Sequence, residues 1–414
     1  MAGFLILLYR MLVSVLMWPA ALALRGHPNF AGTIAARLGL RLPEVPDGRP
    51  LIWVHAASVG EVRAASGLLA ALKRRMPDLV ICLSSMTATG RQVASKDASA
   101  DLVIPFPFDS PRVMRRYLLR LSPRALVIVE TELWPGMILE ARRLGIPVGI
   151  VNARMTERSF RRYARVLPLV KNVLEDIEVL AMAHADAERF SQLGAGRVQT
   201  VGNLKIDMLV STDRSARERL RGSLGAGDRP VFIAGSVREG EEEMVVDAVK
   251  SVASRVPGLF TVIAPRHPRQ IGRLSELVKE ANLRWCLRSG MEADVDLVIV
   301  DTMGELFDLY GASDAAFVGG SLVDLGGQNV LEPIAWGVPT IHGPHMSNFV
   351  WALELVDGHT VTVRDSSSLA GAVADILAYP EKYRVMAAKA RALVEEQRGV
   401  TQRYLSKLED VLRI

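Results

Sequence analysis

The chain has 414 residues, half of them hydrophobic and 23% charged, which suits two packed globular domains rather than a disordered chain. Its two cysteines, Cys82 and Cys286, both sit in apolar runs. They exclude a disulfide scaffold and read as buried thiols in a reducing cytosol. Charge is uneven. Lys and Arg outnumber Asp and Glu 26 to 16 over residues 1–200, then fall behind them 24 to 29. A basic first half suggests an anionic partner, either nucleic acid or an anionic membrane.

The N-terminus favours the membrane. Residues 3–24 are almost wholly apolar, broken by Arg10 and Pro19. A signal peptide would carry charge before its apolar run, and here Phe4 to Leu7 come first. A spanning helix has the length but not the continuity. An interfacial anchor tolerates both interruptions, with Arg10, Arg25 and Arg37 near lipid headgroups, and is the reading adopted.

From residue 51 the pattern alternates. Apolar strands are expected at 51–56, 79–84, 101–106, 125–130, 146–151, 177–182 and 198–202, with helices between them, for example 61–75, 111–121, 136–144, 158–174 and 185–193. This is the signature of a doubly wound parallel sheet. Arg158, Arg161, Arg162 and Arg165 give one helix a basic face, either plain solvated surface or a contact for phosphorylated lipid. A polar stretch, 209–229, reads as an interdomain linker. A second alternating series follows, with strands near 231–236, 259–264, 297–301, 315–319 and 339–342. A long helical stretch, 368–412, closes the chain.

The chemistry gathers at strand ends, where open α/β sheets bind ligands. Leu51 to Val54 leads into the small residues Ala56, Ala57, Ser58 and Gly60, and then Glu61. Ser58 and Glu61 have capping-box spacing, so Glu61 is either a helix cap or a general base. Glu130 and Glu132 end the strand before Trp134-Pro135. On an extended segment, two acids two apart point the same way. Lys205 follows a Gly-Asn turn. In the second half, Pro265-Arg266 ends a strand, and an arginine there can pair bidentately with phosphate. Met303-Gly304-Glu305 offers backbone N–H groups and a carboxylate. Gly319-Gly320-Ser321 and Gly326-Gly327 permit close backbone approach. Asn329 and Glu332, with Val330 and Leu331 between them, open a helix and share a face. The acids Glu239, Glu241, Glu242 and Glu243 read as partners of a helix dipole. Phosphate-loop and dinucleotide-binding motifs are absent, as is any persuasive metal spacing, since His342-Gly-Pro-His345 lies in a turn-rich loop. Asp294-Val-Asp296 precedes its strand and reads as a solvated loop.

Five stretches carry a resemblance: His55-Ala-Ala-Ser-Val-Gly-Glu61, Glu130-Thr-Glu-Leu-Trp-Pro135, Gly202-Asn-Leu-Lys205, Pro265-Arg266-His267-Pro268, and Gly320 through Asn329-Val-Leu-Glu332-Pro333. In order and across nearly the whole chain, they resemble the Kdo transferases, which move 3-deoxy-D-manno-octulosonic acid (Kdo) from CMP-Kdo onto the lipid A precursor. The resemblance implies a metal-independent GT-B glycosyltransferase without a cofactor. It would have two Rossmann-like, doubly wound α/β domains facing a cleft, beside an N-terminal membrane-associated helix. It implies Glu61 as the catalytic base, one of Glu130 and Glu132 as transition-state support, and Lys205 as charge stabiliser. Ser58 and Gly60 fall on the acceptor side. Pro265, Arg266, Met303 to Glu305 and Asn329 to Glu332 fall at the CMP site. The expected segments are a membrane helix at 1–25, an acceptor-binding domain at 26–208, the linker at 209–229, a CMP-Kdo-binding domain at 230–390, and a C-terminal helix at 391–414 that crosses back to the first domain. Expected partners are CMP-Kdo, lipid IVA and the cytoplasmic face of the inner membrane, not nucleic acid. Two rival readings are a GT-B enzyme using a UDP-sugar and a non-catalytic membrane-surface binding protein.

Overall fold

The computed structural model describes residues 2–46, 48–209, 216–292 and 294–412. Residues 210–215 of the expected linker and the last two of the expected C-terminal helix lie outside the described residues. Contacts divide the chain into two compact units, Met1–Met208 with Gly399–Ile414, and Leu209–Arg398.

The first unit is built on seven parallel strands: β1 (Leu51–His55), β2 (Val80–Ser85), β3 (Leu102–Pro105), β4 (Ala125–Val129), β5 (Val148–Ala153), β6 (Glu178–Ala181) and β7 (Arg197–Thr200). Their order is β3-β2-β1-β4-β5-β6-β7. Every residue of β1, β2, β4 and β5 is buried, because helices cover both faces of a parallel sheet and its central strands have no solvent side. The chain winds from β1 outward to β3, then returns to β4 on the other side of β1. The loops leaving β1 and β4 therefore diverge, and that switch point is where such sheets hold ligands. The helix Val400–Leu412 packs on Val59–Arg75 and on β5 within this unit.

The second unit repeats the architecture with β8 (Val231–Val237), β9 (Phe260–Pro265), β10 (Trp285–Leu287), β11 (Leu297–Ile299), β12 (Ala315–Val318), β13 (Thr340–His342) and β14 (Val361–Thr362). Their order is β10-β11-β9-β8-β12-β13-β14, again all parallel, with the switch point between β8 and β12. The architecture is α/β, as expected. The outermost strands, β10 and β14, span three and two residues and are too short to register as periodic segments.

Two expected helices are divided. The stretch 158–174 is Glu157–Ala164 and Leu167–Leu174, with Pro168 in the first turn of the second, where its missing N–H costs nothing. The stretch 368–412 is three helices, Ser366–Ala378, Pro380–Glu396 and Val400–Leu412. Pro380 opens the second, and Gly399, at φ +82°, precedes the third.

The helix Ala2–Ala23 is two-faced. Phe4, Leu7, Leu8, Met11, Leu12, Val15, Leu16, Trp18 and Leu22 are exposed, and no charged residue stands among them. The opposite face packs on Leu167–Leu174 and Pro111–Leu121 and buries Met17 and Ala21. That inner face carries the polar groups. The Tyr9 hydroxyl donates to Asp109 at 2.5 Å, and Arg10 pairs with the buried Glu140. Asp109 also accepts from the N–H groups of Gly136 and Met137, both at 2.7 Å, and so caps the helix Pro135–Arg143. A side chain at position 136 would clash, since a Cβ there lies 2.1 Å from the Asp109 carbonyl oxygen.

Candidate active site

Three of the four expected catalytic groups surround the β1/β4 switch point, and Lys205 reaches one of them. Ser58 caps the helix Val59–Arg75, its hydroxyl accepting from the Glu61 N–H at 3.4 Å. The Glu61 carboxylate turns back, accepting from the Ala57 N–H at 2.7 Å and the Ser58 hydroxyl at 3.0 Å. The capping geometry is therefore present. So is the electrostatics of a base: burial pushes the Glu61 carboxyl up to about 7, against the pull of Ala57 and Ser58, and the charges of Glu130 and Glu132 push it further. A carboxylate poised near neutrality is matched to proton abstraction at cellular pH. Gly60 lies exposed on the first turn.

Glu130 and Glu132 do not point the same way. The expectation assumed an extended segment, but β4 ends at Val129, and Glu130 adopts a left-handed backbone with φ +65°. That kink breaks the two-residue alternation. Glu130 accepts from the Lys205 ammonium at 3.0 Å. Lys205 is held by the turn Leu204–Ile206, which Asn203 caps and which donates to Asn152 through the Leu204 N–H. Glu132 instead faces His55, with Oε2 3.7 Å from Nε2, and neither atom has a hydrogen-bond partner among the described residues.

His55 was singled out only as part of a motif, yet the fold makes it the floor of the site. It is fully buried against Phe106, with ring centroids 4.0 Å apart. Trp53 donates its N–H to the Ser84 hydroxyl oxygen at 2.9 Å, and the same hydroxyl meets His55 Nδ1 at 3.0 Å and the Val54 carbonyl at 3.4 Å. Burial lowers the His55 pKa, which keeps the ring neutral.

In the second unit, Arg266 follows β9 and donates its N–H to the Val237 carbonyl at 2.8 Å. Glu332 lies in its field: burial raises the Glu332 pKa, while Asn329, donating at 3.3 Å, and Arg266 lower it. Asn329 also accepts from the Leu331 N–H at 3.2 Å and so fixes the helix Leu331–Ala335. Val330 and Leu331 are buried in the core, which leaves only their backbone available to a ligand. Met303 is 81% exposed, and Gly304 takes φ +90°. The Glu305 carboxylate is already engaged, accepting from Arg288 at 3.1 Å and from Thr302.

Glu241, read as a helix-dipole partner, precedes the helix Glu242–Ala253 and is completely buried. Its carboxylate accepts four backbone N–H groups, from Arg238 at 2.9 Å, Gly320 at 2.5 Å, and Ser321 and Leu322 at 2.8 Å each. It ties the loop after β8 to the glycine loop after β12. The only sequence signal was a Glu three residues beyond Arg238. The histidines of His342-Gly-Pro-His345 do not converge: His342 is engaged by Gly343 and Thr360, and His345 faces Asp324.

Residues 33–208 match the family model for 3-deoxy-D-manno-octulosonic-acid transferase (kdotransferase). A 3-deoxy-D-manno-octulosonic acid transferase of Bordetella pertussis is 33% identical over 97% of this chain and 96% of its own. The chain belongs to the Kdo transferase family. The corresponding transferase of Haemophilus influenzae is 32% identical over 87% of each chain. A Rickettsia africae glycosyltransferase structure covers 88% of this Kdo transferase and 99% of its own chain, with TM-score 0.63 and 12% identity. Anabaena Alr3699/HepE in complex with UDP covers 88% and 100%, with TM-score 0.62 and 14% identity. These structural likenesses show the GT-B fold. The protein is a glycosyltransferase.

Proposed function

We propose that this Kdo transferase moves Kdo from CMP-Kdo onto lipid IVA at the cytoplasmic face of the inner membrane. The observation that carries the reading is the buried Glu61 carboxylate at the β1/β4 switch point, raised to about 7 by desolvation and by the charges of Glu130 and Glu132. The first unit takes the acceptor and the second takes the donor. Glu61 removes the acceptor hydroxyl proton as that oxygen attacks C2 of Kdo. The bond from C2 to the phosphate oxygen breaks, and CMP leaves with the electron pair. Positive charge grows on the sugar ring, and the Glu132 carboxylate supports it. Lys205, held by Glu130, is the cation that offsets the negative charge growing on the departing CMP. Incubation with CMP-Kdo and tetraacylated lipid A precursor should give a product heavier by Kdo, read by mass spectrometry. No mass gain with that pair would sink the reading.

The donor site predicts its own variant. Arg266→Ala should weaken CMP binding by about 1.5–3 kcal/mol, the loss of a charge-assisted pair. Activity should survive EDTA. Calorimetry with unaltered CMP affinity, or strict dependence on a divalent ion, would contradict the assignment.

The N-terminal helix supports membrane association. By length and composition Gly3–Ala23 could cross a bilayer. Its polar inner face, tied to Asp109 and Glu140, fits a helix that lies in the interface with its apolar face in lipid. The helix Leu167–Leu174 touches both this helix and Glu157–Ala164, which carries the exposed arginines 158, 161 and 162. Deleting the helix would strip partners from Asp109 and Glu140, so the clean test changes only the outer face. Met11→Glu with Val15→Glu should release the protein from sedimented membranes and leave its melting temperature within about 2 °C, as surface changes do. Undiminished membrane recovery would place the anchor elsewhere.

A further inference from the structure

In the second unit, β8 and β9 end side by side, with Val237 and Pro265 as register partners. The next residue on each strand is an arginine, Arg238 and Arg266. Neighbouring strands lie about 5 Å apart, so the two arginines leave the sheet edge from adjacent backbones. His267 sits in their field, pushed below its ordinary pKa by desolvation and then by Arg238, Arg269 and Arg266.

Among the described residues, no carboxylate pairs with Arg238, and its buried Nε has no hydrogen-bond partner. Its stem lies over the glycine loop, since a Cβ at Gly320 would come 3.0 Å from Arg238 Cγ. Glu241 accepts the Arg238 backbone N–H, but that carboxylate is filled by four N–H groups. Glu239 pairs with Arg269 at 2.9 Å. Desolvating a cationic N–H without an acceptor is costly, and a ligand anion would remove the cost. The place is the β8/β12 switch point, where a doubly wound sheet holds its ligand.

The donor proposed above has two anionic groups on one carbon. C2 of Kdo bears both the phosphate oxygen and the C1 carboxylate, so the two charges are close neighbours, matching two arginines carried by adjacent strands. We infer that Arg238 is the subsite for the C1 carboxylate of the donor sugar, while Arg266 takes the phosphate. The inference rests on the CMP-Kdo reading and deepens it: the pair of arginines selects a nucleotide-linked 2-keto sugar acid over one carrying a neutral sugar.

The test separates the two anions, because CMP carries the phosphate and lacks the carboxylate. In initial-rate assays at saturating acceptor, Arg238→Ala should raise KM for CMP-Kdo about 10- to 100-fold. The inhibition constant of CMP should stay within about twofold, which also shows that the variant is folded. Arg238→Lys should lose less than Arg238→Ala, since a cation remains. Arg266→Ala should raise both constants. If Arg238→Ala raises the CMP constant as much as KM, or leaves KM unchanged, the carboxylate subsite is overturned. If Arg266→Ala leaves the CMP constant unchanged, the donor-site reading itself fails.

Discussion

Glu61→Gln should fold, bind CMP, and lose Kdo transfer by at least about 10²-fold in kcat, the contribution of a positioned base. Glutamine keeps an oxygen for the Ala57 N–H, so capping is largely preserved. If Glu61 were only a cap, the variant would keep near-normal turnover along with its fold, because the glutamine oxygen still accepts from Ala57. Measuring both on one preparation separates the two outcomes. The pH dependence gives a second signature. Burial and two neighbouring carboxylates raise Glu61 from 4.5 to about 7 in the folded chain. In the wild type kcat/KM should therefore rise with pH through about 7 as the base ionises. Stability carries the opposite sign. A raised carboxyl pKa means that the folded state holds the proton more tightly, so the Glu61 contribution is full below about 4.5 and lost as pH rises past about 7. Glu61→Gln should lose less stability than wild type between pH 5 and pH 8. A parallel decline of both melting temperatures would contradict the assigned shift.

Glu241→Ala should destabilise the second unit by at least about 3 kcal/mol, because it strands the N–H groups of Gly320, Ser321 and Leu322, each costing about 1–3 kcal/mol when buried and unpaired. For a unit of this size that is a fall of roughly 6–12 °C in its melting transition. Glu243, two residues on and exposed, is the control, and Glu243→Ala should change stability by less than about 0.5 kcal/mol. Equal effects at the two positions would mean that the buried carboxylate does not organise the loop. The folded fraction of Glu241→Ala should also bind CMP-Kdo more weakly, since Arg238 and the Gly320 loop are joined through this one side chain.

The doubly wound architecture was legible because a strand buried on both faces must be apolar throughout, as at Leu51–Val54 and Ala125–Val129, whatever it packs against. The positions of Lys205 and Arg266 just beyond strands, and of Glu61 and Glu332 at helix starts, were legible for a similar local reason: turn chemistry marks where one element stops and the next begins. Sequence could not assign partners. Glu130 and Glu132 separate because one left-handed residue turns the chain, and no neighbour in sequence signals that φ of +65°. Arg238 and Arg266 become a pair only through strand register, across 28 residues, and Glu241 finds its donors about 80 residues away. The N-terminal helix is the clearest case. Both of its faces read as apolar, so periodicity could not orient it. Packing decided, since Tyr9 and Arg10 had buried acids to meet on Asp109 and Glu140, which left Phe4, Leu8, Met11 and Val15 facing outward. Local propensity and burial are written in the order of residues. Which polar group completes which buried partner depends on contacts that exist only once the chain has folded.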